Sequence, residues 1–159
     1  MLRTTAAALV CIAWGLWFGG LGAIFLFVTR LFSVDRDLAI KTAPQLFLVF
    51  ERYQIVLAAA SLLGAVAWRV VLPSPRATTL FWMLAIAAVM AAVGPMLVTD
   101  RMLKLWANGQ SASPQFHRLH GWSMLLYSAQ GLVLLVTGLL LPWAMSQRPP
   151  VSSAAGGLY

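Results

Sequence analysis

Four apolar runs in this sequence are each long enough to cross a lipid bilayer as an α-helix. They cover residues 4–29, 46–72, 77–98 and 119–143. A helical span needs about 20 mainly apolar residues, because an α-helix rises only about 1.5 Å per residue. Backbone N–H and C=O groups find no water in lipid, so a spanning chain must pair them within its helices. We therefore predict an all-α integral membrane bundle of four transmembrane helices.

The charged residues agree with a membrane protein, since they make up only 9% of the chain while apolar residues make up 61%. A water-soluble domain carries roughly 25% charged residues. The net charge of +7 comes from Lys and Arg that are spread over the loops and both ends. They form no dense basic run with interleaved aromatic residues, so we predict membrane lipids as partners and no nucleic acid.

The remaining segments divide the chain into a membrane domain and a tail. Residues 31–45 and 99–115 mix charged and apolar side chains, which predicts a short interfacial helix in each of these loops. Pro44 is expected to end the first of them. Residues 1–145 then form the four-helix transmembrane domain, and residues 146–159 form a tail rich in Pro, Ser, Ala and Gly.

Glycines recur at helical spacing in the first and last spans. Spacings of three, four and seven residues place them on one face of each helix. Small residues on such a face let a second helix approach closely, which is how helices associate in lipid. The glycines predicted to pack in this way are Gly15, Gly19, Gly22, Gly131 and Gly138. The Gly94–Pro95 pair is expected to distort the end of the third span.

Both histidines lie at the beginning of the fourth span, three residues apart. At this spacing His117 and His120 share one face of a helix. The topology places them on the same side of the membrane as Glu51, near the start of the second span. Two imidazoles and a carboxylate could bind a divalent transition metal, or a His120–Glu51 pair could relay protons. Haem ligation is a third alternative.

A structural polar cluster is the simpler interpretation of the same region, and we prefer it. Its members all lie near one membrane surface, where charged side chains can reach lipid headgroups or each other. The predicted cluster consists of Glu51, Arg52, Asp100, Arg118 and His120. In this interpretation bound lipid is the expected ligand, while metal and haem remain alternatives.

Three motifs in the sequence resemble those of a known family. They are Phe116-x-x-Leu119-His120-Gly121-x-Ser123, Trp17-x-Gly19-Gly20 followed by Leu31-Phe32, and Leu46-Phe47 followed by Arg52-Tyr53. Together they resemble the four-span membrane family typified by transmembrane protein 205, a domain of largely unknown function. The resemblance implies the fold and no particular reaction. It also implies a polar residue, usually asparagine, where this chain has Tyr127.

No residue pattern indicates catalysis, because the sequence has neither a nucleophile elbow nor a glycine-rich phosphate loop. We therefore predict a non-enzymatic membrane protein, an accessory or structural subunit of a larger membrane protein complex. Its partners would be lipids and other integral membrane subunits or a second copy of itself. The alternative is a small membrane transporter or metal-tolerance protein with a His/Glu site at the membrane edge.

The distribution of cations predicts an orientation in a plasma or inner membrane. Four spans place both termini on one side of the bilayer. Of the eleven Lys and Arg, four lie on that side and seven on the side of the two longer loops. Cytoplasmic loops carry the excess of positive charge. We therefore expect the termini on the extracytoplasmic side.

Overall fold

A computed structural model describes residues 2–146, which are almost entirely helical. The helices are α1 (Leu2–Val34), α2 (Arg36–Val71), α3 (Pro75–Gly94), α4 (Asp100–Ala107) and α5 (Pro114–Met145), with a π-helical turn (Pro95–Thr99) between α3 and α4. Four stretches are long and apolar enough to cross a membrane: α1, α2, α5 and the continuous run from Pro75 to Ala107. The predicted all-α four-span fold is confirmed. The predicted tail, apart from Ser146, lies outside the described residues.

Consecutive spans are antiparallel neighbours and close into a ring. The contacts between helices join α1 to α2, α2 to α3, α3 to α5, and α5 back to α1. The helices α2 and α5 therefore face each other across the centre of the bundle. Two reversals of direction separate them along the chain, so they run parallel to each other.

The two predicted interfacial segments are both helical, but only the second is a separate helix. A single residue, Asp35, separates α1 from α2, and its side chain accepts a hydrogen bond from the Leu38 N–H at the start of α2. Such a cap favours a new helix at this point. Residues 31–45 are consequently divided between α1 and α2, and Pro44 lies inside α2 instead of ending a helix. The second segment corresponds to α4, whose charged residues are exposed.

The distortion predicted at Gly94–Pro95 is confirmed as the π-helical turn Pro95–Thr99. Proline lacks the N–H that would continue the α-helical hydrogen-bond pattern, and its ring crowds the carbonyl four residues earlier. A π turn contains one extra residue and so rotates the chain that follows it. Turns of this kind are frequent at functional sites.

Both glycines of α5 that were predicted to pack lie against side chains of α1. A Cβ atom added at Gly138 would overlap the Trp14 ring, and one added at Gly131 would lie 3.4 Å from the Leu21 side chain. The close approach lets the Trp14 indole N–H donate a hydrogen bond of 2.8 Å to the Leu134 carbonyl. This contact holds α1 and α5 together.

The three glycines of α1 that were predicted to pack contact no other helix within residues 2–146, whereas Gly20 lies against Phe50 and Tyr53 of α2. A Cβ atom added at Gly15, Gly19 or Gly22 would have no neighbouring atom within 4 Å. These three residues form an open glycine face on the outside of the bundle, because α1 turns a different side toward α2 and α5. The packing face predicted here has no partner within residues 2–146, so its packing against another chain stays a prediction.

Candidate functional site

A row of six polar side chains lies inside the bundle, on the facing sides of α2 and α5. The polar row consists of Glu51, Gln54 and Ser61 from α2 and Tyr127, Gln130 and Thr137 from α5. Each α2 residue has its α5 counterpart 76 positions later in the sequence. A constant offset is what two parallel helices in fixed register produce. All six are buried except Tyr127, which is half-buried.

The Glu51 carboxylate joins three elements of the fold. Its Oε1 atom accepts a hydrogen bond of 2.5 Å from the Thr99 hydroxyl and one of 3.0 Å from the Tyr127 hydroxyl. Thr99 is the last residue of the π-helical turn, and Tyr127 lies on α5. In the described part of the chain these hydroxyls are its only hydrogen-bond partners, and no cation pairs with it. A carboxylate without a cation partner is unusual inside a membrane helix.

One turn deeper, two amides connect α2 and α5 directly. The Gln130 Nε2 atom donates a hydrogen bond of 3.0 Å to the Gln54 Oε1 atom, and both side chains are 1% exposed. Hydrogen bonds between helices replace the hydrophobic driving force that lipid-embedded helices lack. The pair therefore fixes the register of α2 against α5.

Within residues 2–146, two buried side-chain polar atoms have no hydrogen-bond partner, namely the Oγ atom of Ser61 in the polar row and the Nε1 atom of Trp17. Unpaired donors are costly in a membrane interior. Thr137, at the same level as Ser61 in the parallel register, differs because its hydroxyl donates a hydrogen bond of 2.7 Å to the Val133 carbonyl. Ser61 is thus the one member of the polar row whose side-chain hydroxyl has no hydrogen-bond partner in the described chain.

Replacing Ser61 by alanine is expected to raise the free energy of unfolding by about 1 kcal/mol, because it removes an unpaired hydroxyl and leaves the packing nearly unchanged. Unfolding in detergent micelles with increasing SDS would measure it. Ser74→Ala is the matched control, since the Ser74 hydroxyl caps α3 by accepting a hydrogen bond from the Ala77 N–H. That control should lose about 1 kcal/mol. A destabilised Ser61→Ala variant would contradict the prediction.

The polar row is closed at both ends by apolar or aromatic side chains. Toward α4, the rings of Phe47 and Phe50 lie 5.7 Å and 6.4 Å from the Tyr127 ring. Toward the chain termini, the bundle is filled by an apolar layer. Its members include Val10, Ala65, Trp68, Leu72, Leu80, Leu84, Leu141 and Ala144. The row therefore does not continue across the whole membrane.

The structure does not assemble the predicted site at the histidines. His117, Arg118 and His120 are exposed, and so are Arg52 and Asp100. Residues assigned to the predicted polar cluster therefore do not surround Glu51, which is 4% exposed and turned toward the bundle interior. The fully buried residues of α5 begin only at Gln130, so the earlier turns of this helix are less enclosed by the bundle.

The predicted metal ligands are also separated. Among residues 2–146, no three His, Cys, Asp or Glu side chains are placed so that they could hold a metal ion. His117 and His120 face the exterior, whereas Glu51 is bonded to Thr99 and Tyr127. The His120–Glu51 pair proposed as a proton relay is not formed in this structure.

The sequence carries a signal for the polar row in the spacing of its polar residues. Polar residues stand at spacings of three and seven in two otherwise apolar spans, at Gln54 and Ser61 and again at Gln130 and Thr137. Such spacings place them on one helix face. Tyr127, which replaces the asparagine expected from the family resemblance, is itself polar and bonds to Glu51.

Comparison with known proteins identifies a family and no individual relative. The domain of unknown function DUF4149 matches residues 12–111. No curated protein and no solved structure matches the chain. The matched segment includes Glu51 and Thr99 but ends before Tyr127. It supports the predicted membrane domain of unknown function and does not bear on the resemblance to transmembrane protein 205.

Proposed function

The chain belongs to the DUF4149 family of unknown function, and we propose that it is a non-enzymatic accessory subunit of a membrane protein complex. The observation that carries this proposal is the open glycine face of α1, formed by Gly15, Gly19 and Gly22. No side chain or backbone of the described chain covers it. It is therefore available to a transmembrane helix of another subunit or of a second copy.

The position of α1 in the bundle supports this role. Only 17% of its most apolar stretch is buried, compared with 39% for α2. Close packing at small residues is the main source of helix association in lipid, because apolar surfaces gain nothing by leaving lipid tails. A span with a bare glycine backbone on its outer side is suited to such packing. Around this face, apolar side chains such as Ile12 and Leu16 are exposed, as expected of a helix surface that faces lipid or a partner helix.

The rest of the fold agrees with a scaffold. The Gln54–Gln130 and Trp14–Leu134 hydrogen bonds tie α1, α2 and α5 into one arrangement. The transporter alternative loses its His/Glu site, because Glu51 is enclosed while the histidines are exposed. Transport would have to use the polar row, which is closed at both ends. We retain bound lipid as the expected ligand and extracytoplasmic termini as the expected orientation.

Gly19→Leu is expected to reduce the fraction of the protein found in complexes about tenfold, which corresponds to about 1.4 kcal/mol of association free energy. A leucine at this position would hold a partner helix away from the backbone. Native mass spectrometry of the tagged protein after mild solubilisation would measure the complexes.

Gly121→Leu is the matched control, since Gly121 also lies in a helix with no atom within 4 Å of an added Cβ. It should leave both folding and assembly unchanged. If Gly19→Leu folds and assembles as the unmodified chain does, the proposed role of the open glycine face is wrong.

A further inference from the structure

We propose that Glu51, together with the hydroxyls of Thr99 and Tyr127, forms a proton-binding site within the bundle, and that the carboxyl group carries its proton at neutral pH. The inference is independent of the accessory role, because it concerns the interior of the chain and not the open glycine face. The ligand proposed for this site is a proton, and infrared spectroscopy can detect it.

The first argument is charge balance. Glu51 lies in a membrane-spanning helix and is 4% exposed. Both groups bonded to it are neutral hydroxyls, so an ionised carboxylate would be a net charge inside the protein. Charges in this environment are normally paired with an opposite charge. Because no cation pairs with Glu51 in the described chain, a bound proton is what restores neutrality.

The neighbouring ionisable groups do not replace that proton. Tyr127 from α5 is the one titratable side chain bonded to the carboxyl group, and it is a donor. Asp100 follows Thr99 and has the same charge sign as an ionised Glu51, so it opposes ionisation. Arg52 is the next residue of α2 but is exposed. The part of α1 from Phe18 to Val28 contains no titratable residue.

The second argument is the asymmetry of the carboxyl group. Both hydroxyls donate to Oε1, while Oε2 has no hydrogen-bond partner among the described residues. In a neutral carboxylic acid, one oxygen accepts hydrogen bonds and the other carries the hydrogen atom. Oε2 is therefore the atom to which we assign the proton.

The third argument excludes a metal ion as the occupant. Hard divalent cations take six or more oxygen ligands arranged around them. Here only three oxygens come together, and both hydroxyls already donate their hydrogens to the one carboxylate oxygen Oε1. No second acidic or imidazole side chain completes a set of three ligands in residues 2–146.

The position of the site determines the side from which its proton exchanges. Glu51 lies in the half of the bundle nearer α4, and the apolar layer around Trp68 and Leu141 separates it from the side of the termini. Proton exchange therefore occurs from the α4 side, past the aromatic rings at Tyr127. The proton does not cross the membrane through this row.

Infrared spectroscopy in phosphatidylcholine nanodiscs tests the proposal directly. The chain has only four acidic side chains, which are Asp35, Asp37, Glu51 and Asp100, and the three aspartates are exposed. At neutral pH we expect a carboxylic acid C=O band that shifts in D₂O and is lost in Glu51→Gln. A carboxylate signal in the difference spectrum, with no acid band in the unmodified protein, would overturn the proposal.

Two further variants test the geometry without removing the carboxyl group. Hydrogen bonds donated to Oε1 favour the ionised form. Tyr127→Phe and Thr99→Val should therefore each move the disappearance of the acid band to higher pH, by about one unit. Thr79→Val is the control, because the Thr79 hydroxyl bonds only to the Pro75 carbonyl of its own helix. Unchanged midpoints in both test variants would overturn the assigned geometry.

An experiment with sodium chloride tests whether the site binds a proton or a larger monovalent cation. Sodium chloride should leave the acid band unchanged when it replaces choline chloride at the same pH. Loss of the band on addition of sodium would show that sodium displaces the proton, and would overturn the assignment of the proton as the occupant.

Discussion

Replacing Gln130 by leucine is expected to lower the free energy of unfolding by about 1–3 kcal/mol, because it leaves the Gln54 amide buried without its partner. Leucine is not smaller than glutamine, so the loss would not come from a cavity. Replacing Gln54 as well removes both polar groups together. The double variant Gln54→Leu/Gln130→Leu should therefore recover most of the stability lost by the single one.

A double-mutant cycle in detergent micelles would measure this coupling, with unfolding driven by SDS and followed by circular dichroism. The coupled pair is suitable for the test because its hydrogen bond of 3.0 Å is enclosed on all sides. If the double variant loses as much unfolding free energy as the two single variants together, the amides do not act as a pair. The structure would then be wrong about the register of α2 against α5.

The spans could be predicted from the sequence because lipid imposes a simple length rule on apolar runs. The predicted ends of the spans differ from those in the structure where a helix cap or a proline affects the backbone locally. Asp35 starts α2 by capping it, so the helix includes residues that looked too polar to belong to a span. Pro44 is accommodated inside this long helix, where the sequence predicted a boundary. Only the Gly94–Pro95 distortion could be read from residue type alone.

The site could not be located in the same way, because the rotation of each helix about its axis decides which side chains meet. His120 and Tyr127 are seven residues apart and share a helix face, yet one is exposed and the other is bonded to Glu51. The difference is that the α5 helix becomes enclosed by its neighbours only from about Tyr127 onward. Residue spacing shows which side chains share a face and does not show where the packing begins.

The π-helical turn is also the reason why residue spacing does not predict the contact between Thr99 and Glu51. An extra residue in one turn rotates the following chain by about 100°, which is the angle between successive residues of an α-helix. Regular α-helical spacing from the start of α3 therefore misplaces everything after Pro95. In the structure the last residue of the turn reaches the Glu51 carboxylate on another helix. The proline that interrupts the span thus also contributes to the proposed proton site.

The second large effect is expected at Gly138, where the Trp14 side chain of α1 packs directly on the backbone of α5. In Gly138→Ala the added Cβ would overlap the Trp14 ring. Moving that ring breaks its hydrogen bond to the Leu134 carbonyl and disturbs its stacking on Phe18, whose ring centroid lies 5.7 Å away. We expect a loss of about 1–3 kcal/mol of unfolding free energy. This cost outweighs the gain in helix propensity, which is at most about 1 kcal/mol.

Gly131→Ala is the matched control for this prediction, because it lies on the same face of α5 and gains the same methyl group. Its added Cβ would make an ordinary contact of 3.4 Å with the flexible Leu21 side chain. Unfolding in SDS should therefore separate the two variants, with Gly131→Ala close to the unmodified protein. Equal stability of both variants would mean that Trp14 can leave Gly138 without cost, and that α1 is not held at this point. In that case the open glycine face would belong to a helix that is free to shift, and α2 alone would fix its position.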